Sequence, residues 1–115
     1  MGEHYGRHLH PSPERIRELV RARAVFVSEH AGERLLKRYI TADRLQAALE
    51  HAIEIIEDYP GDPRGHTCLV QCTDRVGNVV HCVCAVVEAE DAFAGKYGIR
   101  THEGLVLIVV TVYAP

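Results

Sequence analysis

Long apolar runs are missing from this 115-residue chain: none exceeds six residues, the length of the run 105–110, which excludes a helical membrane span. The opening, Met-Gly-Glu-His-Tyr-Gly-Arg-His, lacks the apolar segment of a secretory signal, so the expected compartment is the cytoplasm and no membrane partner is expected. A surplus of positive charge is missing too. Thirteen Lys and Arg against sixteen Asp and Glu leave a net −3, which argues against a general nucleic-acid binder. There is no internal repeat, low-complexity tract, glycine-rich phosphate loop, Ser-His-Asp signature or cluster of metal-binding carboxylates. With 47% apolar and 25% charged residues, the composition is that of one globular domain and excludes disorder or coiled coil as the main character.

Charge is divided unevenly. Residues 1–44 carry nine Lys and Arg against six Asp and Glu, and residues 45–115 carry four against ten. The first part can present a basic surface, while the rest should repel phosphate; equally, helix arginines can simply be solvated and paired at i,i+4. Residues 1–12, with Gly2, Gly6, Pro11 and little apolar content, read as a flexible tail ahead of a single domain over 13–115. His4, His8 and His10 lie in that tail. A metal there would have to order it, and no nearby cluster completes four ligands, so neither a metal site nor a cofactor is assigned.

Ser12-Pro13-Glu14 is a helix start, with a serine cap, proline at the first position and an acid in the first turn. Ile16, Leu19 and Val20 follow at helical spacing, predicting a helix to about Arg23 and then a short β-branched strand over 24–27. Ser28 caps a second helix to about Tyr39. Ala31, Gly32, Leu35, Leu36 and Tyr39 fall on the half expected to face the core, and His30, Arg34 and Arg38 form a stripe on the other side, flanked by Lys37. Thr41 caps a third helix, buried through Leu45, Ala48, Leu49 and Ala52 and ending near 51–53, with an extra short strand at 54–57. A turn cluster over 58–63 leads to strands at 67–73 and 79–87, joined by a hairpin loop. Residues 88–104 read as a long loop or hairpin tip, and 105–113 as an apolar central strand. The fold class is α+β: two or three N-terminal helices packed on one face of a mostly antiparallel sheet of about four strands.

Pairing Thr73 with Val79 sets Cys68 opposite Cys84 and puts Cys68, Cys72, Cys82 and Cys84 on one face with Val70, Val80 and Val86. Zinc knuckles need close cysteine pairs on tight turns, so these read as small buried hydrophobes rather than a Cys₄ site. On the opposite face Gln71 and His81 are directly paired. His81 is either a half-buried, hydrogen-bonded surface residue or a general acid–base in a groove. Thr111 and Tyr113 share a face near the end of the last strand; both residue types also simply favour strands. In the helix stripe, one imidazole and two guanidiniums can clamp a phosphodiester, or pair with Glu33 and solvent.

Four segments, taken together, resemble a known family. The run 28–41, Ser-Glu-His-Ala-Gly-Glu-Arg-Leu-Leu-Lys-Arg-Tyr-Ile-Thr, resembles the (T/S)-x-H-A-x-x-R-x-x-x-R-x-I-(S/T) opening of bacterial domains of unknown function, number 4258. Ile-Ile-Glu-Asp-Tyr-Pro at 55–60 is similar to its I-I-E-x-Y-P, Val-His-Cys-Val at 80–83 to its L-H-V-V, and Val-Thr-Val-Tyr-Ala-Pro at 110–115 to its I-T-V-Y-x-P. That family is similar in layout to the RelE/ParE-like toxins of toxin–antitoxin pairs. The resemblance implies a RelE-like domain that cleaves or binds RNA, a metal-independent ribonuclease if catalytic, with an antitoxin protein and RNA as partners. By residue it implies His30, Arg34, Arg38, Tyr59, His81, Thr111 and Tyr113 as site residues. His30, Arg34, Arg38, His81 and Tyr113 form the expected catalytic set, and Tyr59 and Thr111, joined by Gln71 as the strand partner of His81, the substrate-binding residues. In such a mechanism His81 or His30 takes the 2′-hydroxyl proton, Arg34 and Arg38 stabilise the phosphorane-like charge, and Tyr113 orients the phosphate. The competing reading is a non-catalytic interaction module that docks a partner, or a second copy as a homodimer, through the sheet. The apolar last strand and the acidic second half favour it.

Overall fold

Three helix starts obey the capping rules. Ser12, Ser28 and Thr41 hold extended backbone angles and each accepts a hydrogen bond from the amide three residues on. They open α1 (Pro13–Arg21), α2 (Glu29–Lys37) and α3 (Ala42–His51) in the computed structural model, which describes residues 5–113. His4 and the Ala114-Pro115 end of the family-like motif lie outside the described residues. The apolar stripes of the three helices, led by Ile16, Leu19, Leu35, Leu45 and Leu49, are buried against one face of a six-stranded sheet.

The strands are β1 (Gly6–Leu9), β2 (Val25–Val27), β3 (Ile53–Tyr59), β4 (Thr67–Thr73), β5 (Val79–Ala89) and β6 (Leu105–Tyr113). They run in the order β2-β6-β5-β4-β3, with β1 also beside β5. β2 and β6 are parallel and the other pairs antiparallel. Among the described residues the class is α+β as expected, but with six strands rather than about four, and with a fourth helix late in the chain beyond the three N-terminal ones.

Two expected irregular segments are ordered elements. β5 is longer than β4: its first half pairs with β4 up to Cys84, and its second half, Val86 to Ala89, pairs with β1. The segment read as a tail therefore supplies hydrogen-bond partners to a strand edge that would otherwise lack them. Leu9 packs on the main core, and Tyr5 sits edge-on to Phe26 and Phe93, which fixes β1 from both faces. The segment read as a long loop holds the end of β5 and a helix, α4 (Asp91–Tyr97), closed by Gly98 in the left-handed conformation at φ 61°. α4 lies on the opposite face of the sheet, where Phe93 is buried with Ala85, Val87, Val106 and Ile108.

α2 ends at Lys37, two residues before the expected end. Ile40 N–H bonds back to Leu35 O at 3.0 Å and Tyr39 takes φ 57°, so Tyr39 leaves the helical period and points outward, 90% exposed. Leu36 is 76% exposed as well. Of the α2 residues expected to face the core, Ala31 and Leu35 are buried.

Extra residues in two strands re-aim side chains. Val110 has no partner where β6 crosses from Cys84 to Val83, and Ile56 none where β3 passes from Val70 to Leu69. Beyond these bulges Thr111 and Tyr113, and Glu57 and Tyr59, point to the face away from α1–α3.

The β4–β5 register is the expected one, with Cys68 opposite Cys84, Gln71 opposite His81 and Thr73 opposite Val79. All four cysteines are free and buried in the helix-side core with Val70, Val80 and Val86. Burial, then the Asp58 charge, pushes the Cys68 thiol up to about 12; the Cys72 thiol is pushed up by its bond with Cys82 and by burial. Raised values keep the groups neutral and poorly nucleophilic at pH 7–8. Native protein should therefore consume almost none of an aromatic disulfide reagent within minutes, and four equivalents once unfolded in guanidinium. Rapid reaction of even one thiol in the native state would contradict this packing.

Candidate functional site

Ser28 sets the position of α2. Its hydroxyl accepts from Ala31 N–H at 3.1 Å and donates to Val110 O at 2.9 Å, while its own N–H bonds Val109 O at 3.0 Å. The start of α2 is thereby fixed to β6. His30, in the first turn, faces a hollow of about 460 Å³ shared with Tyr5, His8, Glu29, Glu33 and Arg64. The Arg64 guanidinium grips Asp62 through two bonds of 3.0 and 2.7 Å and holds that carboxyl well below the usual range. With its arginine already paired and two glutamates on its wall, this hollow is poorly suited to phosphate.

Eight residues along α2, roughly 12 Å at the helical rise, Arg38 stands at a second hollow of about 490 Å³. Lys37, Arg38 and Arg44 line it together with Tyr113, Asp74 and Asn78. Asp74 is tied to Asn78 by bonds of 2.8 and 2.9 Å, which lower its pKa, and lies 4.0 Å from Arg44. Among the described residues neither Lys37 nor Arg38 has an ion-pair partner, so this hollow carries the larger share of free positive charge.

The expected catalytic set is divided. Arg34 is exposed between the two hollows and lines neither. His81 is half-buried on the sheet face away from α2; its Nε2 lies 3.0 Å from Gln71 Oε1, and its ring is edge-on to Tyr113 at 5.9 Å. Thr111 is on that same face, opposite Val83. Tyr59 leans to Glu57, and that hydrogen bond raises its phenol to about 12. Tyr113 is the link between groups, since it borders the hollow of Arg38 and touches the His81 ring. His30, Arg34, Arg38 and His81 do not line one hollow: His30 borders the first, Arg38 the second, and His81 neither.

Sequence reasoning passed over Arg44, which follows the Thr41 cap on another helix. Its place in the hollow depends on the packing of α3 against β4 and β5 and has no signal in local spacing.

No curated protein and no solved structure matches the chain. The profile of the family described as "Domain of unknown function (DUF4258)" matches residues 27–93, which take in α2, α3, β3, β4 and β5 but leave Thr111 and Tyr113 outside. The chain belongs to that family.

Proposed function

We propose that the protein is an RNA-binding module of the toxin-like kind, which holds the phosphate backbone of single-stranded RNA in the hollow at the end of α2. The observation that carries this reading is the convergence of Lys37, Arg38 and Arg44 on one hollow that Tyr113 borders, with one carboxylate among them. Cations there neutralise phosphates, and the highly exposed Tyr39 next to Arg38 offers a ring on which a base can stack. The resemblance drawn from the sequence, to a family similar in layout to RelE/ParE-like toxins, implies the same ligand, with an antitoxin as the protein partner. Binding rather than cleavage is the part the geometry favours, because His81, the imidazole nearest Tyr113, projects from the other face. Docking through the outer strand β3 is opposed by Glu54, Glu57 and Asp58, which blunt that edge.

The test is titration of a fluorescent single-stranded RNA at several salt concentrations. Arg38→Ala with Arg44→Ala should weaken binding at least about tenfold and flatten the dependence on salt. Arg15→Ala with Arg17→Ala, on exposed positions of α1, and His81→Ala should bind like the wild type. Equal affinity of the Arg38/Arg44 variant and the wild type rejects the reading. Cleavage of the RNA that is lost in His81→Ala would restore the catalytic role expected of that residue.

A further inference from the structure

The histidines of the N-terminal segment find partners far along the chain. β1 carries the backbone past His8 and Leu9 so that His10 meets His66, with ring centroids 5.2 Å apart. His66 Nε2 also donates to Asp58 Oδ1 at 2.5 Å. Candidate ligand atoms of His10, Asp58 and His66 all lie within 4.8 Å of one another. We propose that these three side chains form a binding site for a divalent first-row transition ion, with Zn²⁺ the natural occupant.

The donor set has the right chemistry. Two neutral imidazoles and one carboxylate suit zinc, cobalt or nickel, whereas magnesium and calcium prefer an all-oxygen shell. Ligands around a tetrahedral zinc with bonds of about 2.0–2.1 Å stand about 3.3 Å from one another, so a small rotation of exposed side chains closes the set. The ion takes the place of the hydrogen now held between His66 and Asp58. Three protein ligands leave a coordination position for water or a small anion.

The backing of the site is built. His8 Nδ1 lies 3.0 Å from His66 O, and a Cβ on Gly65 would fall 2.5 Å from the His8 ring, so glycine, at φ +114°, lets the turn lie directly on β1. Asp58 is held in register opposite Cys68 near the end of β3. The ligands therefore come from three segments whose relative positions the sheet already fixes, and binding orders little more than side chains. A second group, Glu18, His102 and Glu103, offers one imidazole and two exposed carboxylates and is the weaker candidate for such an ion.

The experiment is calorimetric titration of the full chain, stripped with EDTA, with zinc chloride, paralleled by Co²⁺ titration followed through its visible absorption. One equivalent should bind. Affinity should fall by about tenfold or more in His10→Ala, Asp58→Asn and His66→Ala, and stay unchanged in His102→Ala. Melting curves in EDTA show whether each variant is folded. For the wild type itself, Co²⁺ should shift the ring protons of His10 and His66 and leave those of His51 and His102 in place. Binding that survives both Asp58→Asn and His66→Ala, cobalt shifts confined to other histidines, or no heat of binding below millimolar zinc would overturn the proposal.

Discussion

Leu107→Ala should cost about 3–5 kcal/mol of folding stability, a large part of what a domain of this size has to lose. Leu107 is fully buried near the middle of the sheet, opposite Val86 on β5 and Val25 on β2, and its N–H is taken by Ala24 O at 2.8 Å. Strands on both sides and helices above cannot close on the space left behind, so the lost transfer energy and the cavity add. Urea melts should show a lower midpoint with the slope unchanged, and the thermal midpoint should fall by about 10 °C or more. Leu36→Ala is the matching control. That side chain is exposed, and its loss should stay within about 0.5 kcal/mol. Equal costs at the two positions would mean that α2 is rotated relative to the description above.

The pair also shows what was legible in the sequence. Leu107 sits in an apolar run that reads directly as a central strand, and the hairpin register of Gln71 with His81 followed from pairing Thr73 with Val79 across the loop. Helix starts at Ser12, Ser28 and Thr41 were equally plain, because a cap is a local event written in one or two residues. Tyr39 was misplaced because the helical wheel assumes that the helix continues, whereas the chain turns there into the left-handed region; Leu36, still within α2, lies on the part of the expected half that stays exposed. α4 was missed because seven residues are too few to show a period.

The candidate site was less legible than the fold, for a related reason. Spacing along one helix places His30, Arg34 and Arg38 in line, but a line on α2 runs past more than one hollow. What gathers at each end is decided by other elements: Arg44 from α3 and Tyr113 from beyond the Val110 bulge at one end, His8 from β1 at the other. The cluster of His10, Asp58 and His66 is the extreme case. Its members come from three segments, and nothing in their local sequence announces that they meet.

The placement of β1 underlies that meeting, and Gly6→Ala should undo it. Gly6 has φ +145°, a region that L side chains rarely adopt, and an added Cβ would lie 2.0 Å from Glu88 O and 3.1 Å from Val87 Cγ1. The obstacle is backbone, and it cannot retreat: Glu88 is paired on its other side with Leu105 of β6. β1 must therefore yield. Its release removes the pairing of Gly6–Leu9 with β5, the 2.9 Å ion pair of Arg7 with Glu88, and the edge-on contacts of Tyr5 with Phe26 and Phe93. The exposed ion pair contributes little, while the strand pairing and the aromatic contacts carry most of a loss of about 3 kcal/mol. Amide exchange in residues 6–9 and 86–89 should accelerate far more than in β4 or the first half of β5, which separates detachment of one strand from general weakening. Zinc affinity should fall in the same variant although His10, Asp58 and His66 are all intact, because His10 reaches the other two only when β1 is seated. Unchanged exchange at both strands would show that the backbone accommodates a Cβ at residue 6, and the account of how the N-terminal segment is held would fail with it.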